Sequence, residues 1–262
     1  MNKNLEQEIY EYWQRQPCGI WHSNESPESK EFFLEISEFR QRVFDNTDEA
    51  FFSSFVNFEG RQNERVLEIG CGIGTDGARF AENGAVYTGI DVSSRAIEIA
   101  QTRFKLFDLP GALMVLDGTS DLYPLGRFDL VYSCGVIHHW PNLHKFISNI
   151  HNVLVPDGEF IFMVYASPSW DYAMSQSGHA QYEAQSGVPM VEVFTKEEIV
   201  DFLGDAFEIT NIVQCGCFMY NVEQYRKKEL VLEPWFAAMP EEMRQAVHSN
   251  LGKYFYVKAK KV

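Results

Sequence analysis

The sequence is short of positive charge: 22 Lys and Arg stand against 37 Asp and Glu, for a formal net charge of -15. Such a chain repels phosphate backbones and anionic lipid surfaces. Its short basic clusters, Arg226-Lys227-Lys228 and Lys258 to Lys261, read as solvated faces. No apolar run approaches the ~18 residues of a membrane span. The opening stretch, MNKNLEQEIYEYWQRQPCG, has no apolar core of the kind a secretory signal needs. The expectation is a cytoplasmic protein without nucleic-acid or membrane partners. Cysteine is sparse and odd in number: Cys18, Cys71, Cys134, Cys215 and Cys217 suit reduced thiols in apolar surroundings rather than a disulfide framework. Cys215 and Cys217 have no second pair at a zinc spacing, and there is no G-x-S-x-G elbow or P-loop, so no metal is expected.

What is present is ordinary globular composition, with 45% hydrophobic and 15% aromatic residues over 262 positions. That length suits one α/β domain with embellishments. The head, residues 1–60, reads as a helical cap: Ile9, Tyr10 and Trp13 share one helical face, Ser26-Pro27-Glu28 reads as a helix start, and Phe32, Phe33, Ile36 and Phe39 follow at helical spacing. From Arg65 onward short apolar runs alternate with helical patterns, the signature of a parallel sheet. The runs are Val66 to Ile69, Val86 to Val92, Leu113 to Leu116, Phe128 to Ser133 and Phe160 to Tyr165, with further strands at Phe207 to Val213 and Tyr254 to Ala259. Thr195-Lys196-Glu197-Glu198 reads as a capping box. Residues 166–193 and 216–250 fit no element well; long connections of this kind tend to be binding loops, so both read as lid insertions in a domain spanning 61–262.

The chemistry concentrates at Glu68-Ile69-Gly70-Cys71-Gly72-Ile73-Gly74, a glycine turn between a buried strand and a helix, where backbone can approach a ligand closely. Asp91 closes the second strand and Asp117 the third, so Glu68, Asp91 and Asp117 are expected to form an electronegative rim at the sheet's carboxyl edge. A strand-end carboxylate there can accept hydrogen bonds from ribose hydroxyls. The same turn also satisfies G-x-G-x-x-G through Gly72, Gly74 and Gly77, with Asp91 standing 19 residues beyond Gly72, so a nicotinamide reading stays open.

The segments V-L-E-I-G-C-G-I-G-T, Y-T-G-I-D-V-S, L-D-G, F-D-L-V-Y-S-C-G-V-I-H-H and V-L-V-P-D-G-E-F resemble class I S-adenosylmethionine-dependent methyltransferases. The likeness is to the broad type 11 group that includes ubiquinone and menaquinone methyltransferases, and it covers about residues 60 to 165. It implies a Rossmann-like sheet of seven strands with the last one, Tyr254 to Ala259, inserted antiparallel. It also implies S-adenosylmethionine as cofactor and S-adenosylhomocysteine as product. Carried over, Gly70, Cys71 and Gly72 pass the methionine part with Glu68 nearby, and Asp91 holds the ribose. Val92 and Leu116 sandwich the adenine, Asp117 accepts from its amine beside Gly118, and Ser133 lies near the methionyl amino group.

The acceptor is then expected to be a small molecule of secondary metabolism offering an O, N or C nucleophile. Its base is expected where the fourth strand leaves the sheet, at Gly135-Val136-Ile137-His138-His139-Trp140, because imidazole titrates near neutrality. His138 is expected to face the acceptor more than His139, with Tyr165 as a further candidate. Trp21, His22, Trp140 and Tyr172 are candidates for acceptor contact. An NAD(P)-dependent oxidoreductase and a non-catalytic S-adenosylmethionine-binding protein are the rival readings.

Overall fold

The computed structural model describes residues 3–45, 49–178 and 187–262. Helices α1 (Lys3–Arg15), α2 (Lys30–Asp45) and α3 (Glu49–Val56) form the head. The sheet unit follows as β1 (Arg65–Ile69), α4 (Thr75–Glu82), β2 (Val86–Asp91), α5 (Ser94–Leu106), β3 (Ala112–Val115), β4 (Phe128–Cys134), α6 (Leu143–Val153) and β5 (Leu154–Tyr165). The chain closes with α7 (Trp170–Gln176), α8 (Lys196–Leu203), β6 (Phe207–Cys215), α9 (Val222–Arg226), α10 (Pro234–Ala237), α11 (Glu241–Asn250) and β7 (Tyr254–Lys261). None of the described helices is long and apolar enough to cross a membrane.

The strands join in one seven-stranded sheet of order β3-β2-β1-β4-β5-β7-β6. The pairs from β3 through β5 are parallel, and β7 runs antiparallel to both β5 and β6. Chain order reverses between β1 and β4, which makes their carboxyl ends the switch point where such sheets open a crevice. The strands are apolar on both faces because both are covered. Leu67, Val131, Phe160 and Val257 pack under α6 and α8 through Ile147, Ile150 and Ile199. Their sequence neighbours Val66, Leu130, Ile161 and Tyr256 point the other way, toward Phe52 and Phe55 of α3 and Phe80 of α4. The head is therefore part of the core as well as a cover.

Local expectations hold where local chemistry decides. Thr195 and Glu198 make the reciprocal capping box that starts α8. Ser93 caps α5 by accepting from Ala96 N–H. Elsewhere the structure corrects them. The cap of α2 is Ser29, whose hydroxyl accepts from Phe32 N–H, and not Ser26. β3 stops at Val115, so Asp117 lies beyond the strand. The segments that fit no element hold the helices α7, α9, α10 and α11, of which the first three run to seven residues or fewer. They gather around their own cluster of Met219, Tyr220 and Phe236, with Trp170 packed against it. Residues 179–186 of the first expected insertion lie outside the described residues.

Candidate active site

A cavity of about 270 Å³ opens at the switch point. Its floor is the glycine turn after β1, Asp91 to Ser93 after β2, Leu116 and Gly118 after β3, and Cys134 to Val136 after β4. Gly70 sits at φ 76°, and its N–H and that of Cys71 both donate to Ile90 O, pinning the turn to β2. A Cβ on Gly70 would stand 2.2 Å from Val136 Cγ2, so glycine is needed for conformation and space alike. A Cβ on Gly72 would meet nothing within 4 Å, which is open ligand space. Asp91 Oδ2 accepts from Gly72 N–H at 2.9 Å and Oδ1 from Ser93 N–H at 2.8 Å. Burial raises its pKa while these bonds oppose the rise. Each oxygen keeps a further lone pair for a ligand hydroxyl.

The expected rim of three acids is one acid. Glu68 is buried off the cavity wall and accepts from Tyr87 Oη at 2.5 Å. Burial, then the neighbouring Asp76 carboxylate, pushes its pKa well above the usual carboxyl range. The third glycine of G-x-G-x-x-G serves this pair, because a Cβ on Gly77 would lie 2.2 Å from Tyr87 Oη. Asp117 Oδ1 accepts from Thr119 N–H and Oγ1–H at 2.7 and 2.9 Å, closing a turn, and leaves the wall to Leu116 and Gly118. Ser133 is buried and donates to Ile69 O at 3.1 Å, tying β4 to β1. Cys71 is likewise buried away from the cavity.

The two histidines exchange their expected places. Both lie in the 3-10 turn Ile137–His139, where successive side chains point about a third of a turn apart. His138 is fully buried behind the wall, 4.0 Å from the Tyr165 ring centroid, and neither ring nitrogen has a hydrogen-bond partner. Burial, then the nearby His139 and Lys253, drive its pKa well below the usual value. His139 lines the cavity, and its Nδ1 lies 2.8 Å from Met190 O. A carbonyl only accepts, so Nδ1 carries the proton and Nε2 keeps a lone pair. Burial pushes its pKa down to about 4. Glu192 N–H donates to His138 O, so residues 190–192 strap the turn in place.

Trp21, His22, Trp140 and Tyr165 line the cavity; Tyr172, on α7, does not and is 37% exposed. Sequence reasoning missed Trp13, Phe39, Arg40, Phe218, Tyr225 and Tyr254, which also line it. Trp13 and Phe39 belonged to helical stripes of the head, and Phe218 and Tyr225 lay in an expected lid, but none was singled out as a site residue. Trp21, Phe39 and Tyr225 form a triangle with ring centroids 5.5 to 6.0 Å apart, joining the head to the β6–β7 insertion. Arg40 reaches Asp76 Oδ2 at 2.6 Å, and Tyr132 Oη donates to the same oxygen at 2.8 Å. Burial works against the Arg40 charge, but Asp76 outweighs it and the guanidinium stays ionised.

Residues 67–160 match a family model described as a methyltransferase domain. The same fold occurs in magnesium protoporphyrin IX methyltransferase from Synechocystis PCC 6803, solved with bound S-adenosylmethionine. That structure is 14% identical, with a TM-score of 0.58 over 98% of this chain and 97% of that one. Residues 67–160 carry a methyltransferase domain, set in a sheet of the class I methyltransferase fold. A curated relative, the fatty-acid O-methyltransferase of Mycolicibacterium smegmatis, is 30% identical over 123 residues, 44% of each chain. Another, phosphoethanolamine N-methyltransferase 3 of Arabidopsis thaliana, is 25% identical over 209 residues, 71% of this chain and 43% of its own. The chain thus spans less than half the length of these relatives. The sheet places antiparallel β7 between β5 and β6, whereas the dinucleotide-binding sheet has the strand order 3-2-1-4-5-6. The nicotinamide alternative is set aside on that topology and the family match.

Proposed function

We propose that this chain transfers a methyl group from S-adenosylmethionine to an O, N or C nucleophile of a small molecule. The observation that carries the reading is Asp91: a buried carboxylate oriented by Gly72 and Ser93 N–H at the edge of an open glycine cradle. A carboxylate acceptor so placed suits a nucleoside with two adjacent hydroxyls. Gly70 and Gly72 would pass the methionine part, Val92 and Leu116 would flank the adenine, and Gly118 would lie beside it; all five line the cavity. Glu68, Cys71, Asp117 and Ser133 would act from behind the wall, holding the turn and the strands in register.

When bound, the cofactor supplies a methyl group activated by a positive sulfur. The chain supplies the rest. His139 lines the cavity with Nε2 unprotonated and would take the acceptor's proton there. His138, packed on Tyr165, would brace that turn from behind. The head and the two insertions would act as a lid that excludes water and aligns the acceptor, effects worth ~7–11 kcal/mol in favourable cases. Calorimetric titration with S-adenosylhomocysteine and, separately, NADH tests the reading: the first is expected to bind and the second not. Tight NADH binding with no response to the homocysteine product would overturn it. Methyl transfer to no acceptor pool despite cofactor binding would favour the non-catalytic role.

A further inference from the structure

The cavity wall divides by chemistry. Asp91 and the glycine backbone line it from β1 and β2; the aromatic rings of Trp13, Trp21, Phe39, Tyr165, Tyr225 and Tyr254 line it from the head, the ends of β5 and β7, and α9. Asp91 and Arg40 are the carboxylate and guanidinium of the described wall, and both are already engaged. Asp91 is held by two backbone N–H groups, and Arg40 is paired with Asp76 at 2.6 Å. The histidines of the wall add no charge near neutrality, since burial pushes His22 down to about 3 and His139 to about 4. A carboxylate or phosphate entering this chamber would shed its hydration and meet a guanidinium whose charge Asp76 already offsets, with the Asp91 carboxylate in the same wall. A flat uncharged ring would instead meet aromatic faces and edges at ordinary contact geometry.

Resting on the methyl-transfer reading, we propose that the acceptor is an uncharged aromatic molecule, seated against the triangle of Trp21, Phe39 and Tyr225, and that acceptors bearing a carboxylate or phosphate are excluded. The proposal divides this chain from relatives whose names specify a fatty acid or phosphoethanolamine.

The test titrates the full chain with 2-naphthol, 2-naphthoate and phosphoethanolamine near neutral pH, with and without saturating S-adenosylhomocysteine. The expected result is that 2-naphthol binds at least tenfold more tightly than 2-naphthoate, which has the same rings and one added charge. Phosphoethanolamine is expected to give no signal. Trp21→Ala should weaken 2-naphthol at least tenfold while shifting the S-adenosylhomocysteine Kd less than twofold, and Tyr225→Ala serves as a second probe should the first variant misfold. Equal affinity for the naphthol and the naphthoate, no naphthol binding, or binding of phosphoethanolamine overturns the proposal. Failure of S-adenosylhomocysteine alone to bind would instead overturn the methyl-transfer reading.

Discussion

Histidine 139 turns acidity into a stability measurement. Its ordinary pKa of 6.5 is pushed down to about 4 by burial, with the Met190 carbonyl opposing. Between those values the unfolded chain binds a proton there that the native protein does not, so stability rises with pH across that window. The contribution is fully present above 6.5 and is lost as pH falls toward 4. One pKa unit is worth ~1.4 kcal/mol, so the loss is about 3 kcal/mol. The perturbation is His139→Asn, whose amide can still donate to Met190 O while removing the titration. Urea unfolding of both proteins at several pH values between 4 and 7 gives the difference in stability, in which the histidines remote from His139 cancel. The wild-type advantage is expected to shrink by about 3 kcal/mol on going from neutral pH to pH 4. A difference that stays flat within ~0.5 kcal/mol would refute the claim that His139 is held neutral, and with it the lone pair assigned to Nε2.

Three further outcomes follow from the geometry. Asp91→Asn keeps the shape but removes the charge and sets an amide against Gly72 or Ser93 N–H. The S-adenosylhomocysteine Kd should rise about 10- to 100-fold, read by calorimetry, since a charged hydrogen bond is worth ~1.5–3 kcal/mol. An unchanged Kd would disconnect Asp91 from the nucleoside. Gly70→Ala puts a methyl 2.2 Å from Val136 Cγ2 at φ 76°. It should cost about 2–4 kcal/mol of unfolding free energy from backbone strain and overpacking together. In the double variant with Val136→Ala, part of that loss should return. Gln14 on α1 bonds Ser94 Oγ at 2.9 Å and Ser93 Oγ at 3.2 Å, latching the head over the loop that follows Asp91. Gln14→Ala should speed S-adenosylhomocysteine release several-fold in stopped flow while lowering stability by no more than ~1 kcal/mol. Equal release rates would show that α1 does not gate this loop.

The alternation of apolar runs and helical stripes located the strands and pointed to parallel pairing from β1 to β5, because strand and helix periods are properties of neighbouring residues; the antiparallel last strand came from the family resemblance. The glycine turn and Asp91 were legible for the same reason: each needs only the strand that precedes it. What the neighbours could not decide was which way a side chain faces once the sheet is assembled. Glu68 is drawn inward by Tyr87, a residue of the adjacent strand, and Asp117 turns to Thr119 because β3 ends early. The choice between His138 and His139 rests on Met190, some fifty positions along the chain, whose carbonyl fixes one ring at the cavity while the other packs under Tyr165. The aromatic roof needs Trp21, Phe39 and Tyr225 to meet, and their sequence separation hides that contact from any local pattern. Hydrophobic period and backbone conformation are written in consecutive residues; burial, charge pairing and tautomer belong to residues that only the folded chain brings within hydrogen-bond reach.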